Sequence, residues 1–152
     1  MAGAEPDQAV DRLPEPDRGV QVGLADRPPR AQAGPRPQPY IDCWADDPEV
    51  TLFGAWGPIE LGHPAVTSTF RWVGSRSPGH SGGGVENTVV YASGDLAYTV
   101  GYEHSTASVN GGPAEPKTLR VTHVYRRENA EWKIVHRHGD NPPPEQRPPT
   151  EA

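Results

Sequence analysis

The chain has 152 residues, a formal net charge of −6, 34% hydrophobic residues, 19 prolines and 17 glycines. That length fits one domain, and the acidic balance argues against wholesale nucleic-acid binding. Cys43 is the single cysteine, which excludes an intrachain disulfide, and no apolar run suits a signal region or a membrane span, so a cytoplasmic protein with no membrane contact is expected.

Eight prolines precede Tyr40 and five follow Asp140, which confines the core-forming sequence to about residues 40–140. Residues 1–39 carry no helical or strand periodicity and too little apolar surface to bury, so they are expected to form a disordered tail rich in Pro, Arg, Ala and Gly. Residues 40–47 predict the last turns of a short helix, stopped by Pro48. The stretch VTLFG (50–54) reads as a strand, 55–58 as a turn and 59–61 as a short return strand. Pro64 then suits the first position of a helix, and Val66, Thr69, Phe70 and Val73 mark its buried face. Residues 74–84, rich in Gly and Ser, read as a loop without phosphate-loop spacing.

Two long hairpins follow. The first pairs 85–92 with 95–109 around Ser93-Gly94, with Ala92 opposite Asp95. One face then holds Val85, Asn87, Val89, Tyr91, Leu96, Tyr98, Val100, Tyr102 and His104; it is the bulkier one and is predicted to face the core, leaving Glu86 and Glu103 outside. The second hairpin spans 118–140 and turns at Asn129-Ala130. With Glu128 opposite Glu131, His123 faces His136 and Val121 faces His138. Leu119, Val121, His123, Tyr125, Trp132, Ile134, His136 and His138 then share an apolar face, and the other face, with Arg120, Arg126, Lys133 and Arg137, is cationic. Residues 141–152 are expected to be a disordered Pro-rich tail. Helices followed by a run of strands give an α+β domain, in which a bent sheet wraps one or two helices around a pocket.

The chemistry concentrates in the three imidazoles. H-x-H on a strand with a third histidine across from it supplies three possible zinc ligands, but no acidic side chain shares the face to steady them. Hydrogen-bonding histidines in a polar-ended pocket fit better, and acid/base catalysis by His123 or His136 is the functional reading; no metal or cofactor is expected. Tyr98 and Tyr102 would be oxyanion donors or core aromatics, and Tyr125, Trp132, Ile134 and His138 would complete the wall. Trp56, in a Gly-flanked turn, would rim the pocket, whereas Trp44 and Trp72 read as packing.

The segments VTLFGAWGPIELGHPAV, SGDLAYTVGYEHS and LRVTHVYRRENAEWKIVHRHGD together resemble the nuclear transport factor 2-like superfamily, in its SnoaL-like, ketosteroid isomerase-homologue branch. The resemblance covers about residues 40–140 and is strongest in Trp132-x-Ile134-x-His136-x-His138. It implies a cone-shaped fold, a curved and mostly antiparallel sheet packed on helices. It also implies that an isomerase of this kind would use a pocket carboxylate as base. The association domain of calcium/calmodulin-dependent kinases ends in a similar strand, with a basic pocket residue where His123 stands here. The long opening helix of such domains has no counterpart: the helix is missing, or replaced by the proline-rich segment. Two functions follow as expectations. One is a small-molecule-binding domain acting as an isomerase, cyclase or hydrolase on an apolar carbonyl compound; the other is a non-catalytic association module. A homodimer is the expected assembly.

Overall fold

The computed structural model describes residues 36–76, 81–108 and 111–147. The N-terminal tail expected over 1–39 therefore lies, up to residue 35, outside the described residues, whereas 141–147 carry no regular structure and are exposed. The elements are α1 (Gln38–Ile41), β1 (Thr51–Phe53), β2 (Ile59–Leu61), α2 (His63–Arg76), β3 (Ser81–Ser93), β4 (Leu96–Ser108), β5 (Ala114–Glu128) and β6 (Glu131–Asp140). They form one mixed sheet in the order β2-β1-β6-β5-β4-β3, antiparallel throughout except for the parallel pair β1 and β6.

The expected helix before Pro48 is a single turn, earlier than predicted, whose Ile41 N–H donates to the Pro37 carbonyl at 2.9 Å. After it the chain runs extended along β6: Ala45 N–H donates to the Ile134 carbonyl at 3.0 Å and Ile134 N–H to the Cys43 carbonyl at 2.8 Å. β1 then takes over the same edge of β6, from His136 to His138. Gly62, at φ 86, makes the tight link from β2 into α2, where a side chain would strain the backbone. The predicted loop 74–84 is shorter than expected, since α2 runs to Arg76 and β3 begins at Ser81.

The core is built where α1, α2 and the sheet meet: Tyr40, Ile41, Trp44, Val50, Leu52, Val66, Phe70, Tyr125 and Ile134 are all buried in one cluster. Full burial of each such aliphatic or aromatic side chain stabilises by roughly 1.5–3 kcal/mol. Tyr40 anchors it, its ring edge-on to Phe70 at 4.8 Å and to Trp44 at 6.3 Å.

Two expected facings are overturned. On β4 the buried residues are Ala97, Thr99, Gly101 and Glu103, so Leu96, Tyr98, Val100 and Tyr102 point outward. Bulk misleads here because Tyr40, Phe70 and Tyr125 already fill much of the inner side, where β4 adds only Ala97, Thr99, Gly101 and the ion-paired Glu103. Gly101 is constrained instead from within the sheet: a Cβ there would sit 2.0 Å from the Glu86 carbonyl oxygen of β3. The turn is also displaced, because Ser93 rather than Ala92 begins the pairing, opposite Leu96.

The last hairpin turns at Asn129-Ala130 as predicted, with Glu128 opposite Glu131, and Tyr125 faces Ile134. A bulge then intervenes. Val124 pairs with His136, so Val135 has no residue opposite it and everything beyond is shifted by one. His123 faces Arg137 instead of His136, and Val121 faces Gly139 instead of His138. A single extra residue reverses side-chain alternation, which buries Arg137 and expels His136 and His138 to the outer face.

Candidate functional site

The inner face collects a polar cluster from four elements. α1 supplies Tyr40, β4 supplies Thr99 and Glu103, β5 supplies His123 and Tyr125, and β6 supplies Arg137; all six are buried or nearly so. The Tyr40 hydroxyl and His123 Nε2 are hydrogen-bonded at 2.9 Å. Arg137 Nη2 donates to Glu103 Oε2 at 2.8 Å, an ion pair whose side chains are 4% and 6% exposed. Tyr125 Oη and Thr99 Oγ1 approach at 3.5 Å. Two atoms of the ion pair, Glu103 Oε1 and Arg137 Nε, are buried without a hydrogen-bond partner. Gly139 makes the arrangement possible, because a Cβ at that position would lie 2.4 Å from Arg137 Nη1.

Electrostatics fix the protonation of the pair beside it. Burial, with Arg137 and then His136 adding positive charge nearby, holds His123 well below the usual histidine range, so its imidazole is neutral at pH 7. Burial raises the Tyr40 phenol well above its ordinary value, and that of Tyr125 up to about 12, so both keep their protons. The cluster therefore presents a neutral base, a neutral donor and an ion pair with one free acceptor and one free donor. A small cavity of about 10 Å³ touches it, lined by Glu103, His123, Asn87 and Val85 among others, with room for about one water molecule.

A family model described as the SnoaL-like domain matches residues 38–142. The chain belongs to the SnoaL-like domain family. No curated protein matches the sequence significantly. Among solved structures, this SnoaL-like domain is similar to one from Xanthomonas campestris named for the calcium/calmodulin dependent protein kinase II association domain, at 20% identity and TM-score 0.61, covering 72% of this chain and 76% of that one. A ketosteroid isomerase-like protein from Erwinia carotovora atroseptica matches at 17% identity and TM-score 0.58, covering 69% and 80%. A nuclear transport factor 2-like superfamily protein from Salmonella enterica matches at 21% identity and TM-score 0.57, covering 72% and 78%. These likenesses establish the fold: the α+β cone of the nuclear transport factor 2-like superfamily.

Within the SnoaL-like domain, the residues singled out from the sequence separate into three places. His123, Tyr125 and Ile134 are buried on the inner face, and Trp132 packs against the core beside them with the Arg127 guanidinium over its ring. His136, His138, Tyr98 and Tyr102 lie on the outer face, a correction with the two causes given above. There His136 Nδ1 is hydrogen-bonded to Thr51 Oγ1 at 2.7 Å, and the Phe53 ring contacts both imidazoles. Tyr102 and His138 line an outer hollow of about 340 Å³ beside the Arg120–Asp140 ion pair. Trp56 lines a separate cleft against α2. Among the described residues no three His, Cys, Asp or Glu side chains are grouped to hold a metal ion, and no helix is long and apolar enough to cross a membrane.

Sequence reasoning missed Tyr40, Glu103 and Arg137. Glu103 could have been found by its parity with Ala97, Thr99 and Gly101, a run of small residues on one strand face. Arg137 had the weaker signal of Gly139 two residues on.

Proposed function

We propose that this SnoaL-like domain binds a small carbonyl or hydroxyl compound at the Tyr40–Glu103–His123–Arg137 cluster, and that His123 transfers a proton there. The observation that carries the reading is the pair of buried, unpartnered polar atoms, Glu103 Oε1 and Arg137 Nε. Leaving such atoms unpaired costs on the order of 1–3 kcal/mol each, and a guest that hydrogen-bonds to them recovers that cost.

The chemistry follows from the protonation states. A neutral imidazole accepts a proton from the carbon next to a guest carbonyl, forming imidazolium and enolate. The Tyr40 O–H, or the free Arg137 N–H, donates to the enolate oxygen, and returning the proton to another carbon completes an isomerisation. Glu103 is tied to Arg137, so the base role expected of a pocket carboxylate falls to His123. The cavity beside the cluster holds about one water molecule, so a larger guest enters by displacing the Tyr40 ring from its packing on Phe70.

Native mass spectrometry of the purified full chain, followed by titration with cyclohexenone monitored by NMR, tests this. A retained small molecule or shifts centred on His123 are expected, both lost in His123→Phe with the fold intact. No retained ligand, together with a spectrum that cyclohexenone leaves unchanged, overturns it.

A second reading rests on a different observation. Leu96, Tyr98, Val100 and Tyr102 stand exposed along the outer face of β4, with Val89 beside them on β3. An apolar stripe of this kind suits self-association of two sheets, as in a cytoplasmic homodimer or association module. It is compatible with a ligand site on the opposite face.

A further inference from the structure

A second cleft lies apart from the inner cluster and shares no residue with the cavity there. Of about 380 Å³, it opens between the β1–β2 connection and α2, a size at the lower end of small-molecule sites. Trp56 and Trp72 form its aromatic walls, with ring centroids 6.3 Å apart and planes at 88°. Both indoles are substantially exposed, at 42% and 45%, where a packing role would bury them. Glu60, Ser68 and Thr69 line the same space.

The charges around the cleft select among guests. Lys117 Nζ sits 4.2 Å from the centre of the Trp56 ring, and the Arg76 guanidinium 4.9 Å from that of Trp72. Each indole thus already has a cation on it, and a cationic guest would be repelled. An anionic guest would meet the Glu60 carboxylate in the lining itself, whereas Lys117 and Arg76 are held on the indole rings and do not line the cleft. A hydrocarbon would bury Glu60, Ser68 and Thr69 without hydrogen bonds. A neutral polyol with one C–H face meets none of these objections: its carbons lie on indole while its hydroxyls donate to Glu60 and exchange hydrogen bonds with the two alcohols.

We propose that the Trp56–Trp72 cleft is a binding site for a pyranose sugar. The test titrates the full chain with the methyl glycosides of glucose, galactose and mannose, and separately with tetramethylammonium chloride and sodium benzoate, following the indole N–H signals of Trp56 and Trp72 by NMR. Saturable shifts of both signals with at least one glycoside are expected. Trp56→Ala should weaken that binding about tenfold or more, Glu60→Gln severalfold, and His123→Phe should leave it unchanged, which separates this site from the inner cluster. Saturable shifts with tetramethylammonium or benzoate alone, or no shift with any of the three glycosides, overturn the proposal.

Discussion

His123 couples the site to the stability of the fold. Its folded-state value is depressed, chiefly by burial, with Arg137 facing it from β6, and the half-buried His136 is lowered in the same direction. Below about pH 6.5 the unfolded chain therefore binds a proton that the native state refuses. Stability is full above that value and falls as the pH is lowered from 7 to 5, by up to about 1.4 kcal/mol per pH unit for one proton. Urea midpoints measured across this range should decline, and His123→Gln should flatten the decline; a midpoint that rises on acidification would contradict the buried neutral imidazole. The neighbouring ion pair behaves differently. Glu103→Leu alone strands a buried guanidinium and should cost about 3–5 kcal/mol, whereas adding Arg137→Met should restore most of it, because the pair leaves two of its own atoms unsatisfied. If the double variant is as unstable as the single one, the ion pair is a structural strut and the argument for a ligand loses its footing.

At the scale of elements, the two hairpins show what fixes a strand's facing. The β5–β6 turn has Asn129 at φ 49 and Ala130 at φ 65, the two left-handed positions of the tightest hairpin loop. Alanine is strained there by about 1–2 kcal/mol. Part of that is offset by the extra freedom glycine loses on folding, so Ala130→Gly should stabilise the domain by about 0.5–1 kcal/mol. Thermal and urea unfolding check this, and a destabilised variant would mean that the turn has another geometry. The turn and the four residues of each strand next to it, Tyr125–Glu128 and Glu131–Ile134, could be read from the pattern alone. Beyond Val135 they could not, because nothing local marks that residue as the extra one. The bulge falls where the edge of β6 passes from the Cys43–Ala45 segment to β1, two stretches of chain far from it in sequence.

For the whole molecule, the consequence of the reversed β4 facing is an outer sheet surface more apolar than a solvated face requires. Leu96 is 57% exposed, and Tyr98, Val100 and Tyr102 each close to 40%. Self-association through this surface predicts a dimer by native mass spectrometry. Val100→Lys combined with Tyr98→Lys should shift it to monomer without loss of folding, since neither side chain is in the core. A wild-type chain that is monomeric at tens of micromolar would remove this reading and leave the inner cluster untouched.

The sequence by itself determined the element order, the helix carrying Val66 and Phe70, the turn at Asn129-Ala130 and the inward placement of His123, Tyr125 and Ile134. Each of these depends on residues a few positions apart, where periodicity and turn chemistry act directly. The tertiary structure alone decided which face of β4 is inside and which residues surround His123. Those outcomes depend on how much space Tyr40 and Phe70 leave against the sheet and on a bulge set by the neighbours of β6. An alternation pattern holds equally well with its two faces exchanged, and only packing against the rest of the chain breaks that symmetry.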